Sequence, residues 1–202
     1  MPATAWLVRD LQLAPGRPAL LCGSAGAGKT IIAQSLALFV AAGLPAWGQF
    51  PARSGRVLHI DYDQGEPATR KRYRRLAAGH GIDYLSLGER LRLMPFPPVY
   101  LNAREKAEAF LVAHCADTAL CVIDALRGAL PGTDENDSRI GAHVNVCSRV
   151  SDQTGTTFII LHHLGKPKDG GEDAPTSPRG SSAIIAGAGA VLLVTGAKDS
   201  PK

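Results

Sequence analysis

Residues 23–30 constrain the fold of this chain more than any other stretch. Their sequence, GSAGAGKT, matches the G-x-x-x-x-G-K-[ST] pattern of a phosphate-binding P-loop. Pro18–Cys22 before it reads as a short buried strand, and Ile31–Val40 after it reads as an apolar helix. This order points successive backbone N–H groups and the positive end of the helix at one anion. The sequence therefore predicts a phosphate site at this loop.

The side chains of this loop suit a nucleotide with a bound Mg²⁺ ion. The Lys29 ammonium can reach the β- and γ-phosphates, and the Thr30 hydroxyl can ligate the metal. Small residues elsewhere in the loop let the backbone approach the phosphates closely. A glycine-rich turn without a ligand is the alternative, but strand, loop and helix all agree with the P-loop pattern. The expected phosphate-binding residues are Gly23, Ser24, Ala25, Gly26, Ala27, Gly28, Lys29 and Thr30.

Length and composition predict one globular domain. The chain has 202 residues, 45% of them hydrophobic and 20% charged, without an internal repeat or a linker-like segment. No apolar run approaches the ~20 residues of a membrane span, and residues 1–10 lack the pattern of a signal peptide, so we expect a cytoplasmic protein without membrane contact. A net charge of +4 permits a nucleic-acid partner without requiring one. Reduced core cysteines are expected at Cys22, Cys115, Cys121 and Cys147.

Predicted strands alternate with predicted helices along the chain. Strands are expected at 18–22, 56–61, 91–94, 119–124, 156–162 and 190–194, and helices at 31–40, 66–78, 102–115 and 139–152. We expect Asn102 to cap the third helix, residues 3–17 to enter as a strand or extended segment, and 165–180 to form a long loop. The alternation predicts an α/β fold with a mainly parallel, three-layer sheet.

Acidic residues follow two of the predicted strands. Ligands of such sheets lie beyond the carboxyl ends of the strands, so these residues are expected near the P-loop. Asp124 ends a hydrophobic strand and is expected to hold Mg²⁺ opposite Thr30. Hydrolysis also needs a group that orients or deprotonates water. We prefer Asp63 for this role, with Glu66 as the alternative.

Three basic features have two interpretations each. His163 is expected either to sense the γ-phosphate or to be a core histidine, and no further ligand spacing supports a metal site at the His162–His163 pair. Arg179 is either an arginine finger from a neighbouring subunit or a surface arginine. The five basic residues of helix 66–78 form a solvated face or a nucleic-acid contact.

The series of motifs resembles the RecA-like P-loop ATPases, and within them the plasmid RepA-type replicative helicase group. Many proteins share the P-loop itself, so the segments that follow it carry the resemblance. GRVLHIDYD at 55–63 resembles the family's second strand with its catalytic acid. IDALRG at 123–128 and DENDS at 134–138 resemble the Walker B strand and the loop after it. LHHLGK at 161–166 resembles the histidine sensor, and RGSSA at 179–183 resembles the segment that carries the arginine finger.

The resemblance implies an ATP- and Mg²⁺-dependent motor that assembles as a homo-oligomeric ring, such as a hexamer. ATP would lie between subunits and single-stranded DNA in the central channel. By position, Asp63 takes the place of the catalytic acid, His163 that of the sensor and Arg179 that of the finger. The family usually has glutamate at Asp63, and the loops at 131–139 and 164–182 are not basic. A nucleotide-switched regulatory or scaffold protein with weak hydrolysis is therefore the second expectation.

Overall fold

A six-stranded sheet forms the centre of the protein in the computed structural model, which describes residues 4–134, 137, 139–163 and 182–195. The strands are β1 (Ala19–Gly23), β2 (Arg56–Asp61), β3 (Leu91–Pro95), β4 (Thr118–Asp124), β5 (Thr157–His163) and β6 (Ala190–Val194). The helices are α1 (Lys29–Ala42), α2 (Glu66–Gly79), α3 (Glu105–Cys115), α4 (Leu126–Ala129), α5 (Ile140–Thr154) and α6 (Ser182–Ala186). Three 3₁₀ turns lie at Arg9–Leu11, Leu85–Arg90 and Leu101–Ala103.

The strand order places the motif-bearing strands side by side. It runs β3-β2-β4-β5-β1-β6, and all the strand pairs of this sheet are parallel. The carboxyl ends of β1, β2, β4 and β5 therefore meet at one edge of the sheet. This confirms the expected three-layer α/β fold with a mainly parallel sheet.

Apolar side chains cover both faces of the sheet. Successive strand residues alternate between the two layers, so that Leu21 and Val57 pack in the cluster with α1 and α2, while Leu20 and Leu58 pack in the cluster with α3 and α5. Each such side chain contributes about 1.5–3 kcal/mol when fully buried. The two clusters hold the loops at the carboxyl edge on a rigid support.

One expectation about local structure, the cap at Asn102, was wrong, and the expectation for residues 3–17 held only in part. Asn102 lies in the 3₁₀ turn Leu101–Ala103 and donates its side-chain amide to the Pro131 carbonyl at 2.9 Å, so α3 begins later, at Glu105. The entry segment does not form a strand of the sheet; it turns through Arg9–Leu11 and makes isolated bridges instead. Buried apolar side chains anchor both turns, because Leu101 is 1% exposed and Val8 fully buried.

The four cysteines agree with the expectation of reduced core residues. Cys22, Cys115, Cys121 and Cys147 are free and buried. Burial raises the pKa of the Cys22 thiol to about 11, although nearby Lys29 opposes the shift. Among the described residues, no helix combines the length and apolar character needed to cross a membrane.

Candidate active site

The P-loop joins β1 to α1 and forms one wall of the site. Gly26 and Gly28 adopt left-handed backbone angles, with φ of 78° and 93°, which glycine reaches without steric cost. Gly23 lies so close to β6 that a Cβ atom would come within 2.9 Å of the Val194 carbonyl oxygen. The loop therefore needs glycine for its turn and for its contact with the neighbouring strand.

Lys29 begins α1 and is held inside the loop. Its ammonium donates to the carbonyl oxygens of Gly23 at 3.0 Å and Ser24 at 2.9 Å, and lies 3.4 Å from His163 Nδ1. Burial lowers the pKa of Lys29, while the carboxylate of Asp124 opposes the shift. These contacts fix a cation at the carboxyl ends of β1 and β5.

An open pocket of about 290 Å³ unites the P-loop with the ends of three other strands. It is lined by Ala25, Gly26, Gly28, Lys29, Thr30, Ile31, Asp63, Gln64, Arg72, Asp124, Ala125 and His163. The structure thus brings together Lys29, Thr30, Asp63, Asp124 and His163. Glu66 lies outside this lining and pairs with Arg70 on the surface of α2. Arg179 lies outside the described residues.

Asp61 builds the turn that presents Asp63 to the pocket. One Asp61 carboxylate oxygen accepts the backbone N–H groups of Asp63 and Gln64, each at 2.9 Å, and the other accepts the Thr69 hydroxyl. Burial alone would raise the pKa of Asp61, but these hydrogen bonds outweigh it and lower the pKa below its ordinary value. Since β2 ends at Asp61, the two acids do not share a strand face: Asp61 is buried and Asp63 is exposed.

Thr30 and Asp124 supply the oxygen donors that Mg²⁺ prefers. Mg²⁺ in nucleotide sites is usually held by one or two protein oxygens together with phosphate oxygens and water. Both residues line the pocket, and Asp124 is only 5% exposed at the end of β4. Within the described ranges, no three His, Cys, Asp or Glu side chains cluster to hold a metal by themselves. The donor set therefore fits an ion that arrives with a nucleotide.

Arg72 and Gln64 are pocket residues that the sequence analysis did not single out. The Arg72 guanidinium donates to the Gln64 side-chain oxygen at 2.7 Å. Its Nη1 atom is buried and, among the described residues, has no hydrogen-bond partner. Arg72 precedes the fully buried Tyr73, so it lies at the border of the inner face of α2 rather than on a fully solvated face. Helical phase relative to Tyr73 is the signal that could have identified it.

A second groove of about 520 Å³ adjoins the pocket. It runs between α1 and α2 and shares Ile31 and Arg72 with the pocket. Its further lining consists of Ala68, Lys71, Arg75 and Leu76. The groove combines an apolar surface, including the half-exposed Ile31, with cationic side chains. Such a surface suits a flat ring that carries polar edges.

Comparisons with known proteins identify the family and the fold of the chain. The sequence profile of a family described as "AAA domain" matches residues 1–169. The fold is similar to that in the crystal structure of the RadB recombinase, with a TM-score of 0.64 and 16% sequence identity over 96% of this chain and 82% of that chain. At this identity the likeness concerns the fold alone, and it confirms the RecA-like architecture. Among curated proteins, no sequence matches the chain significantly.

Proposed function

Because the chain belongs to the AAA domain family, we propose that it is a Mg²⁺-dependent ATPase whose active site is the pocket at the P-loop. The observation that carries this proposal is the convergence of Lys29, Thr30, Asp63, Asp124 and His163 on one pocket from four separate strand ends. A glycine-rich turn without a ligand would not need an acid, a hydroxyl and a second basic side chain around it.

The proposed roles follow from the chemistry of each group. The loop N–H groups and the Lys29 ammonium bind the β- and γ-phosphates, where negative charge develops during phosphoryl transfer. Thr30 and Asp124 hold Mg²⁺, which when bound neutralises charge on the phosphate oxygens. His163, whose Nδ1 lies 3.4 Å from the Lys29 ammonium, is placed to respond to the γ-phosphate that Lys29 binds.

Asp63 is proposed to orient the attacking water. It is exposed at the turn fixed by Asp61 and lines the pocket, so its carboxylate can accept a proton from water. Glu66, the alternative, is engaged with Arg70 and lies outside the pocket lining. The turn that positions Asp63 therefore favours it over Glu66 for this role.

The adjoining groove is proposed to receive the base of the nucleotide. Ile31, directly after Thr30, borders both the pocket and the groove, so the groove is continuous with the proposed phosphate site. The Arg72 guanidinium can stack on an aromatic base or donate its buried Nη1–H to the ligand. Arg72→Ala is expected to weaken ATP binding more than Arg74→Ala does, because the Arg74 guanidinium lies over the Tyr84 ring instead. Equal affinities would contradict this placement of the base.

The finer function that we propose is a ring-forming motor acting on single-stranded DNA, of the RepA-type replicative helicase group. The motif series, including Arg179 as a finger in trans, supports it, and the RecA-like fold is compatible with it. Steady-state ATP hydrolysis with and without single-stranded DNA, with Lys29→Ala as the blank, tests both the ATPase activity and its coupling to DNA. Stimulation by DNA supports the motor, and hydrolysis indifferent to DNA contradicts it while leaving the ATPase intact.

A nucleotide-switched regulatory or scaffold protein is the second candidate. The observation that favours it is Asp63 itself, because its carboxylate reaches one methylene less far than the glutamate usual in the family and holds water less well. Such a protein would bind ATP in the same pocket with little turnover. Binding of ATP without hydrolysis, in the same assay, is the outcome that selects this candidate.

A further inference from the structure

A buried histidine lies directly behind the proposed metal-binding acid. His59, on β2, is 1% exposed, and its Nε2 atom lies 3.7 Å from an Asp124 carboxylate oxygen. On the other side of the ring, Nδ1 lies 3.0 Å from the Tyr73 hydroxyl. His59 does not line the nucleotide pocket. It therefore faces the site from behind Asp124.

The two neighbours of His59 determine which ring nitrogen carries the proton. Burial raises the pKa of Tyr73 well above its ordinary value, so the Tyr73 hydroxyl keeps its proton and is a donor. When Tyr73 donates to Nδ1, the ring proton of His59 lies on Nε2, the atom that faces Asp124. The Nε2–H then points toward the Asp124 carboxylate oxygen 3.7 Å away, a distance longer than a hydrogen bond, and among the described residues this buried atom has no hydrogen-bond partner.

The sheet and α2 hold this arrangement from both sides. Asp61 stands opposite Asp124 in the pairing of β2 with β4, and His59 precedes it by two residues on the same face of β2. Thr69 and Tyr73, one helical turn apart, reach from α2 to Asp61 and His59 respectively. The Tyr62 N–H also donates to the Asp124 carbonyl oxygen at 2.7 Å.

We propose that His59, oriented by Tyr73, is a positioning residue: its buried and unpartnered Nε2–H, 3.7 Å from the Asp124 carboxylate, closes onto that carboxylate when Mg²⁺ binds and so fixes it for the metal. Groups that hydrogen-bond a metal ligand from behind orient it and typically change metal affinity about 10- to 100-fold when removed. The inference rests on the proposed function, since it takes Asp124 as the metal-binding acid.

A purely structural role is the competing explanation. The His59 and Tyr73 rings also make an edge-to-face contact, with centroids 5.7 Å apart and an interplanar angle of 75°. If packing alone kept His59 in place, a phenylalanine there would serve as well, because it fills similar space without polar atoms. For a folded His59→Phe protein, the packing explanation therefore predicts unchanged metal affinity, whereas the positioning explanation predicts weaker metal binding.

Metal binding, rather than activity, is the measurement that separates them. Mn²⁺ replaces Mg²⁺ and is followed by the electron paramagnetic resonance of the free ion, titrated into the protein saturated with ADP. ADP affinity in EDTA, by calorimetry, reports the site without metal. Two variants change His59 itself: His59→Phe loses both ring nitrogens, and His59→Gln keeps a donor near the Nε2 position. Tyr73→Phe loses only the hydroxyl that contacts His59. His143→Phe, which removes a buried histidine on α5, is the control.

We expect His59→Phe to weaken Mn²⁺ binding about 10- to 100-fold with unchanged ADP affinity in EDTA. His59→Gln should restore most of the loss, Tyr73→Phe should fall between the two, and His143→Phe should match the unmodified protein. Equal metal affinity in His59→Phe, or equal losses with and without metal, would overturn the proposal. Should His59→Phe fail to fold, unchanged Mn²⁺ affinity in Tyr73→Phe, which loses the hydroxyl that orients His59, would overturn it.

One more variant separates failure of this inference from failure of the proposed function. Asp124→Asn should weaken Mn²⁺ binding at least as strongly as His59→Phe, because it removes the charged ligand itself. If Asp124→Asn leaves Mn²⁺ affinity unchanged, the metal role of Asp124 is wrong. If Asp124→Asn weakens binding and His59→Phe does not, only the positioning role of His59 is wrong.

Discussion

The Lys29 ammonium and the His163 imidazole lie 3.4 Å apart, although 133 residues separate them in sequence. Neighbouring strands bring them together, because Gly23 at the end of β1 pairs with His163 at the end of β5. The same ammonium binds the carbonyl oxygens of Gly23 and Ser24. A phosphate that draws Lys29 toward itself would change the surroundings of His163, so one cation links the ligand to the end of β5.

Removing Lys29 tests the phosphate site. Lys29→Ala is expected to lower ATP affinity about 10- to 150-fold, because hydrogen bonds to charged groups are worth roughly 1.5–3 kcal/mol each. Calorimetric titration with ATP and Mg²⁺ measures the change. Lys106→Ala, on the exposed surface of α3, is the matched control and should bind as the unmodified protein does. Unchanged ATP affinity in Lys29→Ala would show that the P-loop is not the ATP-binding site.

Asp63 is expected to control turnover rather than binding. Asp63→Asn keeps the size of the side chain but removes its basicity, so kcat should fall about a hundredfold or more while ATP affinity stays within a few-fold. Single-turnover hydrolysis together with equilibrium binding separates the two effects. Glu66→Gln is the control and should hydrolyse normally, since Glu66 pairs with Arg70 instead. A larger loss in Glu66→Gln than in Asp63→Asn would reverse the assignment.

Lengthening Asp63 addresses the choice between motor and switch. Asp63→Glu supplies the extra methylene of the glutamate that is usual in the helicase group whose motifs the chain resembles, so we expect turnover at least equal to that of the unmodified protein. An increase of about tenfold would mean that the shorter acid had limited hydrolysis by roughly 1.4 kcal/mol. Loss of turnover in Asp63→Glu would instead indicate that the turn at Asp61 is built for the shorter side chain.

Arg179 is expected to act on the ATP of a neighbouring subunit. Arg179→Ala should reduce kcat about a thousandfold or more with nearly unchanged ATP binding, because a finger stabilises charge that develops in the transition state. Mixing Arg179→Ala with Asp63→Ala subunits should recover part of the activity, since some interfaces then combine an intact acid with an intact arginine. If no mixing ratio restores hydrolysis, a finger in trans loses its support.

The pKa of Asp61 predicts how folding stability depends on pH. Its folded-state pKa is lowered, so the ionised form is stabilised by folding. This contribution is fully present above the unfolded value of about 3.9 and is lost as pH falls through the lower folded-state pKa. We therefore expect Asp61→Asn to lower the free energy of unfolding by roughly 1–3 kcal/mol at neutral pH and by less near pH 3.

Urea unfolding across this pH range measures the effect. Asp152→Asn, an exposed residue of α5, is the control and should change stability little at either pH. A difference between Asp61→Asn and the unmodified protein that stays constant from neutral pH to pH 3 would contradict a charge-dependent role. That result would indicate that the shape of the Asp61 side chain, rather than its charge, holds the turn.

The sequence was most informative where local pattern and tertiary structure demand the same residues. β2 was predicted with the bounds that the structure has, because an apolar run ended by an acid suits a strand buried on both faces. The P-loop, Asp124 and His163 were expected together because parallel strands place their carboxyl ends at one edge. The pocket confirms that these residues meet.

The remaining features depend on contacts that no local pattern encodes. Asp61 is the last residue of β2, and its structural role depends on the packing of α2, which brings the Thr69 hydroxyl to its carboxylate. In the sequence, Arg72 cannot be told apart from the other basic residues of its helix. The contact of Tyr73 with His59 on β2 sets which face of α2 packs inward, and this places Arg72 at the pocket. Asn102 had a capping residue type, but the nearby Pro131 carbonyl competes for its side chain.

We expect the site to depend on the exact length of β2, because the strand sets the direction of two polar side chains. His59 and Asp61 occupy alternate positions of this strand, with Asp63 two residues further on. Deleting one residue within the strand would turn His59 and Asp61 to the opposite face of the sheet, away from both α2 and Asp124. Natural variants and engineered chimaeras should therefore conserve the number of residues from His59 to Asp63, while insertions are better accepted in the exposed turn at 80–81.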